Sequence, residues 1–273
     1  MIFLYFLIFC LLTTGIYAAL AASVTVWSLL GVFALSFLAA NLIFALLFTV
    51  NSLLLPRLEA GRPIEKQHRL SRWICEAVAQ WLCGYAGVRV RLSGLEKLPE
   101  GPFLFVCNHR SMFDPLVVMG WMARWNISFV SKPSNLEIPI AGITARHVGF
   151  LAIDRENNRE ALKTILQAAD YLKRGVCSVG IYPEGTRSKT HEMLPFHAGS
   201  FKIAQKANVP VAVACIRGSE NVKKRLFFRP TPVCLEILEL IDAERVKSMG
   251  TNELADEARR VIRQRLDETE GKA

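Results

Sequence analysis

The first 56 residues contain no lysine, arginine, aspartate, glutamate or histidine; the earliest charged side chain is Arg57. A spanning helix needs ~20 apolar residues. One continuous helix over this run would be ~80 Å long at ~1.5 Å per residue, far beyond a ~30 Å hydrocarbon core. The run must fold back on itself. Ser23 and Thr25 interrupt the strongest hydrophobics, which puts the break near Ala22 to Trp27. Residues 1–56 are therefore expected to form a membrane-embedded helical hairpin, either spanning the bilayer or held in one leaflet. Ala18 to Ala22 offers small residues of the kind cleaved from signal peptides, but the positive n-region of a signal peptide is missing.

Charge is confined to the rest of the chain. All 33 basic and 24 acidic side chains lie after Pro56, for a formal net charge of +9. Arg57, Arg62, Lys66, Arg69 and Arg72 come directly after the apolar run, and basic flanks stay cytoplasmic, so the remainder is expected to face the cytosol. A basic domain tethered to a bilayer suits phosphate-bearing or anionic lipid ligands. Nucleic acid is the other usual partner of such charge, and no nucleic-acid module is present. The seven cysteines are odd in number and form no C-x-x-C. They read as small buried hydrophobes of a reducing compartment, without a disulfide or a zinc site.

Three regions are expected: the anchor of residues 1–56, a basic linker with an amphipathic helix over 57–87, and an α/β domain over 88–273. Trp73 to Ala86 has helical periodicity and aromatic content, which suits either a membrane interface or packing on the core. Val88 to Leu92 alternates as a half-exposed strand does, and Phe103 to Cys107 is a short apolar run of buried-strand type. Further strands are predicted at Ile127–Val130, Phe150–Ile153, Cys177–Tyr182, Val209–Ile216 and Val233–Leu238. Helices are predicted over Leu116–Met122, residues 157–174, Phe196–Ala207 and Leu254–Leu266, with the tail after Glu268 frayed. Strands alternating with helices imply an α/β class with a mixed, largely parallel sheet flanked by helices.

Two stretches carry chemistry. The first, Asn108-His109-Arg110-Ser111-Met112-Phe113-Asp114, follows the buried strand, so His109 leaves the sheet where open α/β sheets collect their sites. Residues five apart point about 140° apart on one helix, so His109 and Asp114 can meet only across a turn. Pro115 marks the first turn of the next helix, where Asp114 alone would serve as an N-cap. The second stretch, Tyr182-Pro183-Glu184-Gly185-Thr186-Arg187-Ser188, reads as a phosphate clamp. Gly185 lets backbone approach a ligand, Thr186 and Ser188 offer hydroxyls, and Arg187 has the fork that grips phosphate. His191 and His197 do not form H-E-x-x-H, and no metal site is expected. Lys223 to Arg229 interleaves cations with aromatics, as a surface near anionic headgroups would.

Together these stretches resemble the signatures of the glycerolipid acyltransferases, the lysophosphatidic acid acyltransferase group: N-H-x-x-x-x-D followed by [FY]-P-E-G-T-R-S. The resemblance extends over roughly residues 70 to 240. It implies transfer of a fatty acyl group from acyl-CoA or acyl carrier protein to a lysophospholipid hydroxyl, lysophosphatidic acid first among acceptors, with no cofactor. His109 would be the general base, and Asp114 would fix its tautomer and orientation. The resemblance puts Glu184 at the acceptor site, with Gly185, Thr186 and Arg187 beside it. Gly149 to Arg155 is similar to the intervening family motif, whose arginine contacts the acceptor phosphate; here that is Arg155. Val209 to Ala214 resembles the last block, with Val213 where a second proline is customary. Other acceptors (glycerol-3-phosphate, lyso-ornithine lipid, another lysophospholipid) fit the same scaffold, and a non-catalytic lipid-binding protein is the contrasting class.

Overall fold

The computed structural model describes residues 2–58, 61–188, 192–225 and 229–270. Contacts divide it into two compact units, Met1–Pro56 and Arg57–Ala273. The first holds helices α1 (Ile2–Leu20) and α2 (Val26–Leu54). Thr25 caps α2 by accepting the Ser28 N–H while the Ser28 hydroxyl accepts the Thr25 N–H, a reciprocal box that fixes the helix start. Thr13 donates to Ser36 at 2.7 Å and Phe6 meets Phe44 edge-on, pairings that require the two helices to run antiparallel. The 29 residues of α2 reach ~44 Å, so α2 is long and apolar enough to cross a membrane. α1 is shorter. Leu30, Leu35, Leu42 and Leu46 stand exposed on α2, as side chains facing lipid would.

The second unit opens with α3 (Arg69–Tyr85) and strand β1 (Val88–Ser93), and continues through β2 (Leu104–Cys107), α4 (Asp114–Trp121), β3 (Ile127–Ser131), α5 (Pro133–Leu136), α6 (Ala141–His147) and β4 (Leu151–Ala152). Next come α7 (Asn158–Lys173), β5 (Ser178–Ile181), α8 (Lys202–Ala207), β6 (Val211–Arg217), α9 (Val222–Arg225), β7 (Thr231–Ile241), α10 (Ala243–Ser248) and α11 (Thr251–Glu270). The seven strands are ordered β1-β7-β6-β2-β5-β3-β4. All neighbours are parallel except β6 and β7. The sheet is mixed and largely parallel, with helices on both faces.

Alternation along the central strands feeds two cores. Leu104 and Val106 pack with α7, α8 and α11 on one face, while Phe103, Phe105 and Cys107 pack with α3 and α4 on the other. Val211, Val213 and Cys215 divide from Ala212, Ala214 and Ile216 in the same way. A strand covered on both faces needs apolar side chains at every position, which is why these runs show no polar alternation.

Several boundaries differ from the sequence expectation. The segment over 57–87 is not a separate linker: it belongs to the α/β unit, and α3 buries Ile74, Ala77, Ala79 and Cys83. Leu70, Trp73, Leu82 and Tyr85 remain exposed on it. The helix expected from Phe196 is a 3-10 turn at Ala198–Phe201 followed by the short α8. β4 shrinks to two residues because it pairs only with β3, at the sheet edge. β7 is longer than expected, because its first part, Thr231 to Glu236, pairs with β1 and its later part, Cys234 to Ile241, pairs with β6. α5 and α6 were not foreseen; both are short, and Ile140 between them has φ +67°, outside any helical repeat. α11 runs to Glu270, two residues beyond the expected fraying point. Leu226 to Phe228 of the basic-aromatic stretch and His191 lie outside the described residues.

Candidate active site

Strand register brings the two motifs together. β2 and β5 are parallel neighbours with Val106 opposite Ile181, so the chain leaves both strands at the same, C-terminal, end of the sheet. Continued past the strand ends, that register sets His109 against Glu184. The Glu184 carboxylate accepts the His109 backbone N–H at 2.6 Å, and the Ser188 N–H donates to the His109 carbonyl at 3.1 Å.

Asn108 makes the turn possible, a role that the motif alone does not assign. β2 pairs with β6 as far as Cys107 opposite Ala214. Beyond that point the Asn108 side chain extends the ladder, donating to the Ile216 carbonyl and accepting the Ile216 N–H, both at 2.9 Å. The backbone of residues 108 and 109 is thereby released from the sheet. Asn108 is 1% exposed, so Asn108→Ala strands two buried backbone groups at roughly 1–3 kcal/mol each. A loss of about 2–6 kcal/mol is expected in chemical denaturation; an unchanged midpoint would show that the ladder extension carries no stability.

The turn then returns Asp114 to His109. Asp114 opens α4, with Pro115 in the first turn, and is fully buried. Its Oδ2 lies 2.8 Å from His109 Nδ1 and also accepts the Arg110 and Ser111 backbone N–H groups at 2.7 and 2.8 Å. Negative charge at a helix N-terminus with several N–H donors is favourably placed. An ionised carboxylate only accepts, so the imidazole donates from Nδ1. Its Nε2, which has no partner among the described residues, is left with a lone pair. The imidazole is partly exposed while Asp114 is sealed, as a base facing substrate over a buried orienting acid would be.

Around this pair the expected site residues fall into different positions. Gly185 has φ +73°, and a Cβ there would stand 3.0 Å from the His197 ring and 3.4 Å from Arg155 Nη1. Glycine at this turn thus serves both the left-handed backbone and the close approach of the His197 ring, with Arg155 at ordinary contact beside it. That arginine was expected on resemblance alone, from a motif some 30 residues earlier in the chain. Thr186 and Arg187 are exposed at the same turn. Among the described residues neither Arg155 nor Arg187 has an ion-pair partner, and Arg155 does not pair with Asp154 or Glu156. The Ser188 hydroxyl instead donates to the Glu192 carbonyl at 2.6 Å. Glu184 is 4% exposed, and its second oxygen accepts the Leu194 N–H at 2.9 Å. Burial raises its pKa, against the pull of the two N–H donors. Cys107, two residues from the imidazole, is fully buried and held well above the usual thiol range by desolvation, which unfits it as a nucleophile. His197, whose ring lies against Gly185, is an additional member that no spacing pattern flagged.

A family model described as Acyltransferase matches residues 89–217, the span containing both motifs. The 1-acyl-sn-glycerol-3-phosphate acyltransferase of Escherichia coli (strain K12) is 30% identical over 168 residues, covering 62% of this chain and 68% of that protein. The chain belongs to this acyltransferase family. The 1-acyl-sn-glycerol-3-phosphate acyltransferase of Saccharomyces cerevisiae is 27% identical over 206 residues, covering 72% of this chain and 66% of that protein. The chain thus spans about two thirds of the length of these curated relatives. Among solved structures, the 1-acyl-sn-glycerophosphate (LPA) acyltransferase PlsC from Thermotoga maritima aligns with a TM-score of 0.63 at 25% identity, over 84% of this chain and 96% of that one. The α/β acyltransferase fold expected from the motifs is therefore the fold of this family.

Proposed function

We propose that this acyltransferase moves a fatty acyl group from acyl-CoA, or acyl carrier protein, to the sn-2 hydroxyl of lysophosphatidic acid, giving phosphatidic acid. The observation that carries the reading is the His109–Asp114 pair standing beyond the C-terminal ends of the strands with two arginines, Arg155 and Arg187, that lack a carboxylate partner among the described residues. An imidazole with an open Nε2 takes the hydroxyl proton as the oxygen attacks the thioester carbon. Collapse of the tetrahedral intermediate expels the thiolate, which recovers the proton from His109. The acceptor hydroxyl is the nucleophile, so no serine or cysteine need be acylated, and the reaction calls for no cofactor. The apolar hairpin of α1 and α2 suits a substrate and a product that partition into lipid. The basic residues after Pro56 favour the cytoplasmic side for the α/β unit.

The test is acyl transfer by the purified full chain from labelled acyl-CoA or acyl carrier protein to a panel of acceptors: lysophosphatidic acid, glycerol-3-phosphate and a neutral lysolipid. Preference for the phosphomonoester lysolipid is expected. No transfer to any acceptor from either donor would refute the reading. Arg187 refines it. A guanidinium meets phosphate with two parallel hydrogen bonds, and lysine keeps the charge but loses the fork. Arg187→Lys is expected to raise the KM for lysophosphatidic acid ~10-fold or more, the worth of one charge-assisted bond, while sparing the neutral acceptor. Wild-type kinetics for Arg187→Lys would leave Arg155 as the phosphate ligand.

A further inference from the structure

The second motif also acts on the first, through contacts that neither motif reveals alone. The Tyr182 ring stacks on the His109 imidazole with centroids 4.3 Å apart and planes 18° from parallel. On its other face Tyr182 stacks on Phe129, at 5.4 Å and 3°. Phe129 is seated by Gly180, where any Cβ would collide with its ring. Two residues on, Glu184 holds the His109 backbone N–H with one oxygen and the Leu194 N–H with the other.

We propose that Tyr182 and Glu184 are positioning residues for His109, one bracing the face of the imidazole and the other its backbone. This rests on the reading of His109 as general base. Asp114 fixes one edge of the ring through Nδ1 but leaves rotation about that hydrogen bond open; a flat neighbour on the ring face closes it. The Tyr182 hydroxyl takes no part. It is buried without a partner among the described residues, and burial holds it protonated, well above the usual phenol range. The ring is what matters. Glu184 is likewise withdrawn from the acceptor: it is buried and both oxygens are occupied by backbone donors. Its charge suits a site where two N–H groups converge, since a glutamine there must turn its own NH₂ toward one of them.

A small misplacement of a base costs turnover rather than binding. Tyr182→Met keeps the volume without the flat ring, and Glu184→Gln keeps the shape without the second acceptor. Each is expected to lower kcat ~10–100-fold with the acceptor KM nearly unchanged, and Tyr182→Phe is expected to recover most of what Tyr182→Met loses. Combined with His109→Ala, neither change should reduce the residual rate further, because both act through that imidazole. A rise in acceptor KM at constant kcat for Glu184→Gln would make it an acceptor ligand and overturn its half of the proposal. Equal losses in Tyr182→Phe and Tyr182→Met, or additive losses on the His109→Ala background, would overturn the bracing role. If His109→Ala itself keeps full activity, the general-base reading fails instead, a separate result. Thermal unfolding of each variant, and the same kinetics for Gly180→Ala, which unseats Phe129 from behind the stack, cover the case where Tyr182→Met does not fold.

Discussion

Asp114→Asn should lower turnover by on the order of 10³–10⁴-fold, the scale known when the orienting carboxylate of a catalytic triad becomes an amide. One carboxylate oxygen of Asp114 receives the imidazole and two backbone N–H groups. An asparagine whose carbonyl takes the place of Oδ2 keeps these donors but withdraws the negative charge that stabilises the imidazolium as it forms. Turned the other way, its NH₂ faces His109 Nδ1, leaves the two backbone N–H groups unpaired in a sealed site and favours the tautomer with the proton on Nε2, which cannot take a proton from the acceptor. Because Asp114 is also the first residue of α4, some stability goes with the charge; the kinetic loss should greatly exceed it. Turnover within tenfold of wild type would mean that Asp114 serves only the helix start.

Much of this site could be read from the chain because strand ends and turns are local. An apolar run, a histidine, a turn of four residues and a proline suffice to bring His109 and Asp114 together. The features that could not be read depend on strand order. β5 lies between β2 and β3, although two strands, β3 and β4, separate it from β2 in sequence, and only that insertion puts Glu184 under His109. The bond from Asn108 to Ile216 spans 108 residues and depends on β6 flanking β2 on the other side. His197 reaches Gly185 from an irregular segment with no periodicity to announce it. α5 and α6 escape for a different reason: helices of four and seven residues are too short for a 3.6-residue pattern to repeat.

Glu184 illustrates how resemblance and geometry complement each other. Its place in the motif implied a role at the acceptor, whereas its two backbone partners tie it to the loops carrying His109 and Leu194. Arg155 and Arg187 are the cationic groups available to a phosphate at the same end of the sheet. Under the proposed roles, acceptor recognition and base placement fall to different residues, and changes in KM and kcat should separate them.

His109 bears the central claim. Removing a general base costs ~10²–10⁴-fold in rate, and His109 lies beyond the end of β2 with its ring partly exposed, so its truncation should leave both cores intact. The most direct measurement is the rate of labelled acyl transfer from acyl-CoA to lysophosphatidic acid by wild type and His109→Ala, with equal folding verified by thermal unfolding. The expected result is a fall of at least ~10²-fold in kcat with the acceptor KM little changed. A folded His109→Ala protein that turns over at the wild-type rate would contradict the mechanism.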